Sequence, residues 1–339
     1  MPLPPDSLEL SLFLSTAKRV NLCVQNQQLQ ECSLKKITFS LALLFAASWV
    51  QADLEWAYQA LEETLISFDD EPRTLPGSPN SYTQTEIDDP FSPPDWFPED
   101  HSPMPEVVAR GLDNQVRACS QCHLTSGMGH PESSQLAGLP IGYMLRQMAD
   151  FRSGARKDQF WMNSISEALP EEYWQAALEY FAAIEPTDWV EVIETDTIPK
   201  NYVGKGRMRF VHPDGGTEPL GNRILEFPED PELVHLRHPY SGFIAYAPMG
   251  SIERGRDLAT TGGLGKTLAC NICHGEGLKG LGEVPAIAGM SPLYVVRQLN
   301  DMKTGTRGGT SAALMQATVV NLTEEDIVAL AAYLASLDP

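Results

Sequence analysis

The amino-acid sequence predicts a helical protein built from two copies of one unit, with a partly extended segment between them. Three observations support this prediction. The frame C-x-x-C-H occurs twice, at residues 119–123 and 270–274. The residues that follow the two frames match at a nearly constant offset, and each copy ends in a strongly helical run. With 42% hydrophobic residues in a chain of 339, the composition supplies a core, and the length suggests about two domains.

The charge of the chain limits its partners. Lys and Arg number 24 against 45 Asp and Glu, which gives a formal net charge of −21. Binding to nucleic acid or to anionic lipid needs a dense basic surface, and the sequence shows none. An acidic surface instead favours protein partners with complementary basic docking patches.

An export signal is predicted near the N-terminus. The apolar run Ile37–Val50 has 14 residues, fewer than the roughly 20 that a membrane span needs. Two lysines precede the run and small residues follow it, which is typical of a secretory signal cleaved after Ala52. We expect translation to begin near Leu34 and the mature chain to lie in the periplasm, with no transmembrane segment. The alternative is that the run forms a buried helix.

The two frames predict covalent haem attachment. Two thiols three positions apart lie on one face of a helical turn and can both add to haem vinyl groups, and the adjacent histidine can then bind the iron. A redox-active C-x-x-C pair or a Cys₄ zinc site is the alternative, but neither explains why a histidine follows both times. The prediction is two haem c groups, attached through Cys119, Cys122, Cys270 and Cys273 and bound by His123 and His274.

An internal repeat supports the two frames. At an offset of 151 residues, identical residues recur after each frame, and after a two-residue slip the offset is 153. The matched pairs are Glu132/Glu283, Tyr143/Tyr294, Arg146/Arg297, Gln147/Gln298, Arg156/Arg307 and, after the slip, Met162/Met315.

The repeat also selects the sixth iron ligand. Only Met162 and Met315 recur in both copies, and methionine opposite histidine is the usual low-spin arrangement of electron-transfer haems. Core packing is the ordinary role of a methionine, but the pairing favours ligation. We expect a loop to deliver each of these two residues.

Other recurring residues are candidates for lining the haem. Arginine matches a carboxylate with its planar fork, so the paired Arg and Tyr side chains are expected near the haem or its propionates. Helix packing and solvated charge are the alternatives. The candidates are Tyr143, Arg156, Tyr294 and Arg307. His130 has no counterpart in the repeat, and a surface or hydrogen-bonding role is expected for it.

The remaining sequence divides into segments. Residues 53–104 form an N-terminal extension that starts with a predicted helix and continues as an irregular, Pro-rich stretch. The first copy spans 105–186, with helices starting near Pro105 and after Pro170. Residues 187–250 are Gly- and Pro-rich with strand-like patches, and we expect an ordered connection packed on the two copies. The second copy spans 251–339, with Ser251 and Thr323 as expected helix N-caps.

The two copies resemble tandem class I cytochrome c domains of the two-haem, c-four-like kind. The resemblance rests on CSQCH and AGLPIGYMLRQMADFRSGAR in the first copy and on CNICHG and AIAGMSPLYVVRQLNDMKTGTR in the second. It covers residues 105–186 and 251–338 and implies small all-α domains, one covalent haem each, His/Met ligation and an electron-carrier role. Two features depart from it: Leu124 follows the first frame where Gly275 follows the second, and the connection is far longer than a hinge.

The expected function is one-electron transfer between a dehydrogenase donor and an oxidase or other acceptor. A two-haem peroxidase is the enzymatic alternative, but it needs an iron with an open position, which methionine at both irons would block. A third possibility is a haem-bearing subunit docked permanently on a dehydrogenase, with residues 187–250 as its interface.

Overall fold

The computed structural model describes residues 54–60 and 62–339. The predicted signal, with its start near Leu34 and its cleavage site after Ala52, lies outside these residues. Within them, no helix combines the length and the apolar character needed to cross a membrane.

The described residues contain twelve α-helices and nine short strands. The helices are α1 (Gln84–Ile87), α2 (Glu106–Ala109), α3 (Ser120–His123), α4 (Ile141–Ser153), α5 (Met162–Ala168), α6 (Glu171–Ala182), α7 (Pro231–His235), α8 (Ser251–Thr261), α9 (Asn271–His274), α10 (Pro292–Thr304), α11 (Ala312–Val319) and α12 (Glu324–Ala335). The strands are β1 (Arg73–Thr74), β2 (Ser81–Tyr82), β3 (Val190–Glu194), β4 (Thr197–Pro199), β5 (Asn201–Val203), β6 (Arg209–Val211), β7 (Thr217–Pro219), β8 (Leu225–Pro228) and β9 (Phe243–Ala247).

The first repeat, residues 105–186, is helical. The helix expected from Pro105 is present as the short α2, and α6 follows Pro170 as predicted. Helix α4 ends where Gly154 takes a positive φ of 73°, a conformation that glycine adopts without strain. Helix α6 packs on α4 and buries large apolar side chains, among them Trp174, Leu178 and Phe181.

The second repeat, residues 251–339, packs α8 closely against α12. A Cβ atom at Gly255 would lie 2.0 Å from the carbonyl oxygen of Ala329, so this approach requires glycine. The predicted N-cap Thr323 is confirmed: its hydroxyl accepts a hydrogen bond from the backbone N–H of Asp326, whose carboxylate accepts one from Thr323 in return. The predicted N-cap Ser251 is wrong by one residue, because the left-handed turn at Gly250 (φ 81°) already places Ser251 inside α8.

The inter-domain segment, residues 187–250, contains seven of the nine strands. A three-stranded sheet has the order β3-β9-β8, in which β3 runs parallel and β8 antiparallel to β9, and the pairs β4–β7 and β5–β6 are antiparallel. Short runs of β-branched and aromatic residues between Gly and Pro favour strands here. The expected ordered, partly extended connection is thus present, whereas the all-α class is not confirmed for the whole chain. The inter-domain segment, the N-terminal extension and both repeats belong to one compact unit.

The helix predicted at the start of the N-terminal extension is wrong. Only Leu54–Ala57 forms a turn of 3₁₀ helix, and residues 62–72 have no regular structure. Tertiary contacts outweigh the local helical pattern here. The Tyr58 hydroxyl donates to the Asp301 carboxylate at 2.7 Å. The backbone N–H of Glu63 donates to the carbonyl of Val203, so this part of the extension lies along the inter-domain segment.

Candidate functional site

Each C-x-x-C-H frame folds into a single helical turn. Cys119 and Cys270 take helical φ and ψ just before α3 and α9. The backbone N–H of His123 donates to the carbonyl of Cys119 at 3.0 Å, and the same bond in the second repeat measures 2.9 Å. The two thiols of each frame therefore lie on one face of the turn, with the histidine directly after them. None of the four thiols is in a disulfide.

The two histidines are held in the same way. Nδ1 of His123 lies 2.8 Å from the carbonyl oxygen of Ser134, and Nδ1 of His274 lies 2.8 Å from that of Pro285. Ser134 and Pro285 occupy equivalent positions in the repeat. A carbonyl at this distance fixes the proton on Nδ1 and leaves Nε2 as a metal ligand. Burial lowers the pKa of both imidazoles, which favours the neutral form that binds iron.

A cavity of about 670 Å³ adjoins the first frame. Cys119, Cys122, His123 and Met162 are among the residues that line it, as are the non-recurring methionines Met144, Met148 and Met290. The volume is within the usual range of cofactor sites, and the remaining lining is mostly apolar and aromatic. The frame and the methionine are 39 residues apart in sequence, yet the fold brings them to one cavity. The donor set therefore fits a haem held by thioethers, imidazole and sulfur.

Met162 does not lie on a loop, contrary to the prediction, because it is the first residue of α5. The Asp158 carboxylate accepts hydrogen bonds from the backbone N–H groups of Phe160, Trp161 and Met162 at 2.6–3.0 Å and so stops the helix from starting earlier. Met315 likewise lies within α11 and packs on the same core as Cys270.

The four predicted haem-lining residues join the two repeats. Each arginine donates across the interface to a tyrosine and a glutamine of the other repeat: Arg156 to Tyr294 (3.1 Å) and Gln298 (2.7 Å), and Arg307 to Tyr143 (2.8 Å) and Gln147 (3.0 Å). The pattern is nearly two-fold symmetric. Burial would raise the pKa of the Tyr294 hydroxyl, but the charges of the two arginines outweigh it and lower that pKa. Tyr143, Arg156 and Tyr294 also line the cavity, and Arg307 contacts that lining through Tyr143.

Two ion pairs across the same interface were not foreseen. Arg297 lies 3.3 Å from the carboxylate of Glu132, with both side chains buried, and Arg146 lies 3.3 Å from that of Glu283, with both largely exposed. All four residues recur in the repeat, so the signal was present in the sequence. Spacing alone could not show that each pair forms between repeats.

The zinc alternative receives no support from the geometry. Among residues 54–60 and 62–339, no three or more His, Cys, Asp or Glu side chains are placed to hold a metal ion, so a Cys₄ zinc site does not form. His130, expected at the surface or in a hydrogen bond, is half-buried, and its Nδ1, which is shielded from solvent, has no partner in the described part of the chain. Burial lowers its pKa to about 3.

The fold and the two frames define a protein with two covalent haem attachment sites. The cytochrome c family matches residues 252–338. The chain is 39% identical to cytochrome c-552 of Acidithiobacillus ferridurans over 224 residues, covering 65% of this chain and 73% of that protein.

Two further relatives agree with this match. The thiosulfate dehydrogenase electron acceptor of Thiomonas intermedia is 26% identical over 66% of this chain and 79% of its own length. Cytochrome c4 of Stutzerimonas stutzeri is 23% identical over 68% of this chain and 89% of its own length. This chain therefore belongs to the cytochrome c family, as a c4-like di-haem class I cytochrome. It carries covalently bound haem c and serves in electron transfer, and the peroxidase alternative is less supported.

Proposed function

We propose that this chain is a periplasmic electron carrier in which each repeat holds one haem c. Thioether bonds would form to Cys119 and Cys122 in the first repeat and to Cys270 and Cys273 in the second. The axial ligands would be His123 with Met162, and His274 with Met315. The observation that supports this most is that the first frame and Met162 line a single cavity.

The bound haem supplies an iron that accepts and releases one electron. The protein keeps this site closed to other chemistry. The carbonyls of Ser134 and Pro285 hold each imidazole in one orientation, and burial keeps it neutral. A thioether on the opposite side would leave no position for peroxide, which is why we favour a carrier over a peroxidase.

The residues at the repeat interface have a positioning role in this proposal. Tyr143, Arg156 and Tyr294 line the cavity and would contact the haem of the first repeat, while Arg307 orients Tyr143. Because every one of these side chains also bonds across the interface, they would fix the two haem units relative to each other. We therefore expect electrons to pass between the two haems within one chain.

The partners we propose are redox proteins of the periplasm. The acidic surface would draw partners with basic patches, and the rate of encounter would fall with added salt. Two relatives are named electron acceptors of thiosulfate dehydrogenase, so we propose a dehydrogenase of that kind as the first donor to test. A permanently docked subunit, the third possibility, would co-purify with its dehydrogenase.

A redox titration of the purified holoprotein with optical spectra tests the assignment. We expect two haems per chain, low-spin spectra in both oxidation states and the near-infrared absorption of a sulfur–iron bond. A single haem, or high-spin haem after half reduction, would contradict the proposal. Mass spectrometry of the exported chain would test cleavage after Ala52.

A further inference from the structure

The two attachment frames differ sharply in exposure. In the first repeat, every residue from 119 to 130 is buried or half-buried. In the equivalent stretch of the second repeat, residues 271–273, 276, 277, 279 and 281 are exposed. The second of the two residues between the cysteines shows the contrast best. The polar Gln121 is 5% exposed, whereas its apolar counterpart Ile272 is 66% exposed. Burial of the polar residue and exposure of the apolar one is the reverse of the usual preference.

The inter-domain segment covers the first frame. The Arg237 guanidinium donates to the carbonyl of Gln121, and the Ser126 hydroxyl donates to the carbonyl of Pro239 at 2.7 Å. The N-terminal extension fixes this cover, because the Trp96 indole donates to the carbonyl of Leu236 at 2.7 Å. These three hydrogen bonds hold the cover in place over the first frame.

The second frame instead lies in an apolar surface, which we call the apolar face. It consists of five side chains that are 54–79% exposed: Leu268, Ile272, Leu281, Leu314 and Val320. Hydrogen bonds near the second frame bring these side chains close to it. The N–H of Gly280 donates to the carbonyl of His274, which places Leu281 there, and the Thr267 hydroxyl donates to the carbonyl of Thr318 in α11. Leu314 directly precedes Met315. Exposed apolar clusters of this kind mark interaction sites.

Most of the acidic residues lie outside the repeat that carries the apolar face. Residues 54–250 contain 13 basic and 32 acidic residues, whereas residues 251–339 contain 7 basic and 9 acidic ones. Near the face, Lys266 is paired with Asp326 at 2.7 Å and Lys279 donates to the carbonyl of Pro339. A second copy of this chain is a poor occupant, because two strongly acidic molecules repel each other.

We propose that the apolar face is the docking surface for redox partner proteins, and that partners exchange electrons with the second repeat while the first repeat is closed to them. The partner is a redox protein whose docking face is apolar and nearly neutral. Basic groups elsewhere on the partner are attracted by the acidic residues of 54–250 while the two proteins approach each other. The apolar contact then forms in the docked complex. The inference rests on the proposed function, because it requires a haem in each repeat.

The test measures reduction of the oxidised holoprotein by stopped flow with two donors. One is a reduced blue-copper protein with an uncharged apolar docking face, and the other is hexaammineruthenium(II), which needs no docking face. The variants are the pair Leu268→Glu with Ile272→Glu, and Ile272→Gln, which introduces the residue that the first repeat carries at this position. Val211→Glu is the control, because Val211 is an apolar side chain 48% exposed on the inter-domain segment.

We expect the double variant to lose at least about tenfold in rate with the blue-copper donor, since apolar residues at the centre of an interface dominate its energy. Ile272→Gln should lose less, and Val211→Glu should match the wild type. With hexaammineruthenium(II), no variant should react more slowly than the wild type, because this small cation needs no apolar contact and the added carboxylates attract it. Equal rates for wild type and double variant would overturn the proposal, as would an equal loss in the control or a wild-type dimer in sedimentation that the double variant abolishes.

Haem content separates this proposal from the one on which it rests. Each variant is assayed for two haems and for the sulfur–iron absorption. If the wild type lacks these, the proposed function fails. If all variants keep them and the double variant reacts at the wild-type rate, only the docking surface is wrong.

Discussion

The two repeats share their haem chemistry and differ in what surrounds it. Each has the same frame on one helical turn, the same carbonyl bond to Nδ1 and a methionine at the same repeat position. In the first repeat, the residues just before the methionine are clamped: Arg207 lies 3.5 Å over the ring of Phe160, and Arg117 lies 4.0 Å over that of Trp161. Their counterparts in the second repeat are Ala313 and Leu314, both exposed; Trp161 is 40% exposed and Leu314 79%.

This difference shows how a duplicated protein can give its two halves separate roles. The residues proposed to bind haem recur because the same chemistry is needed twice. The clamp and the cover come from the inter-domain segment and from single residues of the first repeat whose counterparts in the second repeat are different residues. Duplication therefore accounts for two similar haem sites, and the inserted segment accounts for their unequal access to solvent and to partners.

The largest expected effect comes from removing the proposed methionine ligands one at a time. Met162→Ala and Met315→Ala should each abolish roughly half of the sulfur–iron absorption and lower the reduction potential of one haem, because thioether ligation raises it. The comparison between repeats adds a second readout. Added imidazole should bind faster to Met315→Ala than to Met162→Ala, since the first site is clamped and covered. Both are measured by optical spectroscopy of the holoprotein.

Two results would break this comparison. Unchanged sulfur–iron absorption in either variant would remove that methionine from the ligand set. Equal imidazole binding rates would show that the cover over the first repeat does not restrict access. Met249→Ala is a suitable control, because Met249 is 63% exposed and lies outside both repeats.

The next effect concerns the two ion pairs that are equivalent in the repeat. Glu132 pairs with Arg297 with side chains 7% and 10% exposed, and Glu283 pairs with Arg146 with side chains 60% and 40% exposed. Glu132→Gln should lower the free energy of unfolding by about 3 kcal/mol, because it leaves a buried guanidinium without its counter-charge. Glu283→Gln should change it by less than about 1 kcal/mol. Denaturant unfolding of the holoprotein measures both, and equal losses would contradict the burial contrast.

The local geometry of the two frames could be predicted from the sequence because it depends on spacing within a few residues. The C-x-x-C-H frames predicted both helical turns. Met162, which the repeat selects, is one of four methionines that line the cavity with His123, so its role as a ligand stays a prediction. The proline and capping signals placed α6 and α12 correctly. Each of these features is determined within a few residues or by identity at a fixed offset.

The arrangement between repeats could not be predicted in the same way. Tyr143, Arg156, Tyr294 and Arg307 were recognised as special, but whether they contact haem or each other depends on how two units pack. The cover over Gln121 depends on Arg237, which is 116 residues away and carries no motif. The extension failed as a helix because Tyr58 and Glu63 find partners far along the chain.

A third asymmetry lies at the start of two equivalent helices. In the second repeat, the carboxylate of Glu226 from β8 accepts hydrogen bonds from the hydroxyl of Ser291 (2.6 Å) and the N–H of Leu293 (2.8 Å) at the start of α10. The equivalent helix α4 begins after Pro140 and has no side-chain cap. Glu226 is fully buried, and its other oxygen has no partner in the described residues. Burial raises its pKa to about 7, although these two hydrogen bonds and the charge of Arg297 act in the opposite direction.

The pH dependence of stability should therefore report on Glu226. Because its folded pKa of about 7 exceeds the unfolded value near 4.5, the folded state binds this proton more tightly. The stabilisation is complete below pH 4.5 and is lost as the pH rises through 7, by about 3 kcal/mol in all. Urea unfolding from pH 4.5 to 8 should show the wild type losing this much relative to Glu226→Gln, which keeps an acceptor for Ser291 but cannot ionise. Glu253→Gln, on an exposed glutamate of α8, controls for the loss of one carboxylate. If the curves of the wild type and Glu226→Gln run parallel, the carboxylate does not titrate in this range, and its hydrogen bonds to Ser291 and Leu293 contribute equally at every pH tested.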